Sequence, residues 1–95
     1  MQARESIPGV HNRHHVLFYA LSTCIWCRRA RQFLETNNVA FEIVYVDLLQ
    51  GAEREAVVEQ VRRWNPSVSF PTLVIDNRRC IIGYRPEEMQ EALGL

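Results

Sequence analysis

"LSTCIWCRRARQFLE", residues 21–35, sets Cys24 and Cys27 three positions apart at the head of a segment with helical periodicity. Cys27, Ala30, Phe33 and Leu34 recur on one helical face, and Arg28, Arg31, Gln32 and Glu35 fall largely off it. Ser22 or Thr23 offers a side chain that can cap a helix beginning near Cys24. The preceding "HVLFYAL" (15–21) is a continuous apolar run of strand length, the pattern of a central strand buried on both faces. The cysteines therefore stand where a buried strand hands over to a helix. Spacing alone leaves three readings open: a disulfide-exchanging pair, half of a metal site, or two buried thiols.

Outward from that stretch, Thr36, Asn37 and Asn38 end the helix, and "AFEIVYVDL" (40–48) reads as a second strand. After the break at Gln50-Gly51, "AEREAVVEQVRRW" (52–64) reads as an amphipathic helix with Val57, Val58, Val61 and Trp64 inward. Glu59 can pair with Arg63 one turn on, and Asn65-Pro66 stops the helix. Residues 71–84 read as a hairpin: strand 72–76, a turn through Asp76, Asn77 and Arg78, then strand 79–83. Pro86, with Glu87 and Glu88, suits the first turn of a closing helix whose apolar side carries Met89, Ala92 and Leu93. The order is β-α-β-α-β-β-α, an α/β arrangement with a right-handed parallel β-α-β unit and an antiparallel hairpin. It predicts a four-stranded mixed sheet with helices on both faces. Residues 1–13, polar and broken by Pro8-Gly9, read as an N-terminal tail, and 14–95 as one domain.

Bulk properties narrow the function. The 95 residues argue for one domain, and 47% hydrophobic with 23% charged residues argues against disorder. Eleven basic and eleven acidic side chains cancel, so no global field favours nucleic acid or an anionic membrane, although Arg28, Arg29 and Arg31 make a local positive patch. No run approaches the ~18 apolar residues of a membrane span, and the N-terminus lacks the apolar core of an export signal. The expectation is a cytoplasmic monomer. Three cysteines, an odd count with two closely spaced, do not fit a disulfide-stapled secreted scaffold and favour a reactive pair.

The chemistry needs a thiolate, and a free thiol is only about 3% ionised at pH 7. A helix N-terminus stabilises the anion through its unpaired N–H groups and the positive end of the macrodipole. Cys24 occupies that place; Arg28, one turn on, either adds positive potential or is simply solvated. Residues i and i+3 of a helix have Cβ atoms about 5–6 Å apart, and a disulfide needs about 3.5–4.5 Å, so a small adjustment closes the pair. Cys24 is then the attacking sulfur, and Cys27, on the apolar stripe, the resolving one. A structural zinc would need four ligands, which Cys80 and His11, His14 and His15 could complete only if the tail folded over the helix start. Cys80 otherwise reads as a small core residue on a strand, and the histidines as tail residues without a catalytic partner.

The strand, the Cys24-Ile25-Trp26-Cys27 motif at a helix start and "SFPTLVIDN" before a hairpin and terminal helix resemble the glutaredoxins of the thioredoxin-like fold, over about residues 14 to 94. "CIWC" stands where glutaredoxins usually carry Cys-Pro-Tyr-Cys, and Ser69-Phe70-Pro71 where they carry Thr-Val-Pro. The resemblance implies a cis bond before Pro71 that sets the backbone of Phe70 beside Cys24, where it can pair with an extended substrate. Pro71 alone would read as the start of a strand. Two positions depart from the glutathione-using pattern. Leu21 stands where those proteins carry a Lys, and Gly83-Tyr84-Arg85-Pro86-Glu87 where they carry Gly-Gly and a nearby Asp. That run is similar instead to NrdH-type redoxins, which donate electrons to ribonucleotide reductase and take them from thioredoxin reductase.

The expected activity is that of a small thiol–disulfide oxidoreductase reducing protein or low-molecular-weight disulfides. Cys24 and Cys27 are its catalytic residues, and Trp26, Phe70, Pro71, Gly83 and Tyr84 form a substrate-binding rim. No tightly bound cofactor is expected; electrons come from glutathione or from thioredoxin reductase. The alternative of another class is a glutathione-assisted iron–sulfur or zinc-binding module of the same fold.

Overall fold

A computed structural model of the chain describes residues 2–95. Five strands and three helices follow in the order β1 (Arg4–Ile7), β2 (Val16–Ala20), α1 (Ile25–Thr36), β3 (Phe41–Tyr45), α2 (Gly51–Trp64), β4 (Thr72–Ile75), β5 (Arg79–Ile82) and α3 (Pro86–Leu93), with a short 3-10 turn at Val46–Leu48. The sheet order is β1-β3-β2-β4-β5. β2 and β3 run parallel, as the crossover through α1 requires, and every other pairing is antiparallel.

Alternation along the strands divides the core in two. Phe18 pairs with Ile43 on one side and Leu73 on the other, and Leu73 with Ile81, so four apolar side chains form one row across the sheet. Cys27, Ala30 and Leu34 of α1 and Met89 and Leu93 of α3 cover that face. The next residues along, Tyr19, Val44 and Val74, point to the opposite face, where Val57 and Val61 of α2 pack. Helices thus lie on both faces. The interior strands are apolar on both sides for that reason.

Three expectations need correction. The sheet has five strands, not four: Arg4–Ile7, from the segment read as a tail, pair antiparallel with β3 from Arg4↔Val44 to Ile7↔Phe41. Gly9 lets the following segment lie against the chain at Asn38–Ala40, since a Cβ there would meet Ala40 N, Asn38 O and Val39 C at 2.5 Å. His11 bridges to Val39, and His14 Nδ1 lies 2.6 Å from the Asp76 carboxylate, so the histidines are tied to the sheet. The second strand ends at Tyr45, because Val46–Leu48 coil into the 3-10 turn. Glu59 pairs with Arg62 at 3.1 Å rather than with Arg63. The hairpin turn is as read: Asp76 and Asn77 both take positive φ, the conformation tight hairpins demand.

Candidate active site

Strand β2 ends at the buried Ala20 and α1 begins at Ile25, which leaves Leu21–Cys24 to make the turn. The cap of α1 is neither of the expected hydroxyls but Cys24 itself. Its φ and ψ are extended, and its Sγ accepts the backbone N–H of Cys27 at 3.2 Å. Ser22 is engaged elsewhere. Its N–H donates to Asp47 Oδ1 at 2.9 Å and its hydroxyl to Asp47 Oδ2, anchoring the turn to the end of β3. Burial opposes the charge on Asp47, but these bonds from Ser22 outweigh it and hold the carboxyl below its usual range.

The two sulfurs live in different environments. Cys24 is half-buried, whereas Cys27 is 2% exposed on the inner face of α1. Burial pushes the Cys27 thiol up to about 12, and the hydrogen bond and charge of Cys24 push the same way. The pair is in the dithiol state, along with Cys80. Cys80 is partly buried on β5 opposite Val74, and desolvation raises its thiol as well.

The Phe70–Pro71 peptide bond is cis, as the family resemblance implied, and the Phe70 carbonyl lies 3.9 Å from Cys24 Sγ. All five expected rim residues meet in one cleft of about 350 Å³ lined by Trp26, Phe70, Pro71, Gly83, Tyr84 and Arg85. The Trp26 and Tyr84 rings stack at 6.3 Å, joining α1 to the loop after β5. Trp26 stays 53% exposed, so the cleft has an apolar lip open to a partner.

A second cleft, of about 430 Å³, opens on the other side of the pair between Leu21, Ser22 and Arg28. Its far wall is Arg31, which donates to Tyr45 Oη at 2.7 Å and reaches both oxygens of Glu5 at 3.4 Å. Burial works against the Arg31 charge, but these partners outweigh it and raise its proton affinity.

Three site features escaped the sequence reading. One is the Ser22–Asp47 anchor, another the Glu5–Arg31–Tyr45 wall. The third is Asn65, read only as a helix stop. It is 2% exposed, and its Nδ2 lies 3.1 Å from Ser69 O, 2.9 Å from Ser69 Oγ and 3.0 Å from Thr72 Oγ1. It holds the loop that carries Phe70 and Pro71. Among the described residues no three His, Cys, Asp or Glu side chains gather as metal ligands, and the histidines and Cys80 do not converge on the pair.

A reactive Cys-x-x-Cys at the start of α1, beside a cis-proline loop on a four-plus-one-stranded mixed sheet, defines a thioredoxin-like redoxin. Comparison with known proteins narrows the class. The family model for glutaredoxin matches residues 16–80, and the chain belongs to the glutaredoxin family, a thiol–disulfide oxidoreductase. It is similar to the glutaredoxin from Methanosarcina mazei Go1, with 45% identity and TM-score 0.91 over 99% of this chain and 90% of that one. Methanosarcina acetivorans methanoredoxin aligns at 41% identity and TM-score 0.87, over 92% of this chain and 90% of that one. The gene 56 protein of Mycobacterium phage D29 is 32% identical over 78 residues, 82% of this chain and 81% of the phage protein. No helix among the described residues is long and apolar enough to cross a membrane.

Proposed function

We propose that this glutaredoxin is a dithiol reductant of protein disulfides that draws its electrons from thioredoxin reductase. The observation that carries the mechanism is the Cys27 N–H on Cys24 Sγ at 3.2 Å. A donor fixed on that sulfur favours its anion and costs no reorganisation when the charge forms. Cys24 attacks one sulfur of the substrate disulfide, a mixed disulfide forms and the other substrate sulfur leaves as a thiolate. Cys27 then attacks Cys24 Sγ; a Cys24–Cys27 disulfide closes and the second substrate thiol departs. Two electrons and two protons pass from the pair to the substrate.

Timing follows from the Cys27 environment. In the dithiol state Cys27 holds its proton, through burial and through its neighbour Cys24. Once Cys24 is tied up in a mixed disulfide, its share of that restraint is lifted. The departing substrate thiolate is the nearest new base. Phe70 offers its backbone to an extended substrate strand, and the Trp26–Tyr84 lip covers the reacting sulfurs. Weak, short-lived contact suits a carrier that must release each partner.

Leu21, in place of a lysine that would hold the carboxylate of glutathione, supports thioredoxin reductase as the donor. So does the Gly83-Tyr84-Arg85-Pro86-Glu87 run, akin to NrdH-type redoxins. In that run Arg85 caps α3 and its Nε donates to Ile82 O at 2.9 Å, with Pro86 at the first helical turn. The test offers oxidised protein, in parallel, thioredoxin reductase with NADPH and glutathione with its own reductase. Faster NADPH consumption with thioredoxin reductase supports the reading; reduction by glutathione alone overturns it.

A further inference from the structure

Arg28 and Arg29 follow Cys27 directly, and both are exposed. Arg4, Arg31, Arg62 and Arg79 each pair with a glutamate, but among the described residues neither Arg28 nor Arg29 has a carboxylate partner. Both line a groove of about 460 Å³ beside α1 that also takes in Gln32, Phe33 and Tyr84, and none of its lining residues is acidic. Arg29 is not loose there. Its guanidinium sits 5.3 Å from the centroid of the Trp26 ring, on the aromatic pair that borders the reactive sulfur. Across Cys24 a third arginine, Arg85, lines the neighbouring cleft. The chain carries no net charge, and on α2, across the sheet from α1, Glu53, Glu55 and Glu59 are balanced by Arg54, Arg62 and Arg63. Within α1 the positive side chains outnumber the negative, Arg28, Arg29 and Arg31 against Glu35, and they stand on the helix that carries the cysteines. All eleven basic residues are arginine, whose planar fork suits carboxylates better than a point charge does.

We propose that the Arg28–Arg29 groove binds an acidic segment of the protein whose disulfide is reduced, with carboxylates flanking the target cysteine. The inference rests on the reading of Cys24 as the attacking sulfur. It adds substrate selection: like-charged proteins are repelled from the redox end, and acidic ones are steered onto it. The apolar floor of Phe33 and Tyr84 gives the aliphatic stem of a glutamate a surface to lie on.

The experiment mixes pre-reduced protein with an excess of one of three disulfide-linked peptides, identical but for Glu-Glu, Gln-Gln or Arg-Arg flanking the cysteine. It follows the second-order rate of protein oxidation; the Cys24–Cys27 dithiol is oxidised, and each peptide disulfide is reduced to two thiols. At about 20 mM salt the Glu peptide is expected to react about five- to tenfold faster than the Gln peptide, and at about 0.5 M salt the advantage shrinks below about twofold. In the R28E/R29E double variant the order reverses and the Arg peptide leads. Glu and Gln peptides within about twofold of each other at low salt overturn the proposal, as does an acidic preference that survives in the double variant. Failure of all three peptides to oxidise the protein is a different result, and removes the redox reading of the pair itself.

Discussion

Cys27 touches Cys24 twice over: its backbone N–H donates to Cys24 Sγ at 3.2 Å, while its own thiol is buried behind that sulfur. One residue thus stabilises the attacking sulfur through its main chain and waits to displace it through its side chain. The two contributions are separable by mutation. Cys27→Ser keeps the N–H donor, and is expected to form a mixed disulfide and stall there. Cys24→Ser is expected to lower disulfide reduction to the rate without protein. Mass spectrometry after mixing with a disulfide peptide distinguishes them: an adduct on Cys24 in the first variant, none in the second. Iodoacetamide at neutral pH should label Cys24 well before Cys27, and equal labelling would contradict the burial difference.

The Cys27 thiol also sets an alkaline limit on stability. Its folded-state pKa, pushed up to about 12 by burial and then by Cys24, lies above that of an unfolded thiol. The contribution is therefore fully present below the unfolded value and is lost as pH rises toward the folded one. Each such group costs about 1.4 kcal/mol per pH unit over that window. Cys80 and Tyr19 are raised in the same direction, mainly by desolvation, and add to the slope. Urea unfolding of the reduced protein between about pH 9 and 11 should show the decline. Cys27→Ala should start about 1 kcal/mol less stable and lose about 1.4 kcal/mol less per pH unit. Parallel curves would mean that Cys27 ionises freely in the folded state.

Asn65 tests whether the proline loop is held from behind. Asn65→Ala removes the amide shared by Ser69 and Thr72 and leaves a buried gap, at a cost of about 2–3 kcal/mol. Asn65→Asp keeps the shape but substitutes an acceptor for the donor, and buries a charge as well. It is expected to be the worse variant at neutral pH and to recover partly in acid. For the fraction that stays folded, the substrate KM should rise more than kcat falls, because Phe70 rather than Cys24 has moved. A normal KM would show that the loop keeps its place without this side chain.

The handover from β2 to α1 was legible because strand length, helical period and cysteine spacing are all local. The features that escaped are long-range. The expected hydroxyl cap failed because Ser22 finds Asp47, 25 residues away, and leaves the cap to Cys24. β1 carries no strand signature: "RESI" has one apolar residue, Ile7, and its burial alternates between exposed and half-buried as befits an edge. Its inward position at Glu5 is occupied by a charge, which Arg31 pairs from α1. Asn65 reads as a helix stop until residues 66–71 fold back over it. The rim residues were within reach of the sequence because a family resemblance placed Phe70 and Pro71 beside the cysteines; composition and period alone would have left Pro71 at the start of a strand.

That edge is the last test. Glu5 sits in the row that continues through Ile43 and Phe18, on the face α1 covers, and Arg31 reaches it from the helix that carries the cysteines. Arg31 is 22% and Glu5 26% exposed, so the pair is neither fully screened nor fully dry. Arg31→Ala leaves Glu5 and the Tyr45 hydroxyl without their partner and should cost about 2 kcal/mol; Glu5→Gln, which keeps an acceptor, should cost about 1 kcal/mol. Measured together as a double-mutant cycle, the two should couple by about 1 kcal/mol. Hydrogen exchange locates the effect: in Arg31→Ala the amides shared by β1 and β3 should exchange faster, while those between β2 and β4 keep their protection. Unchanged protection at β1 would mean that its ladder with β3 suffices, and that the ion pair only lines the cleft beside Cys27.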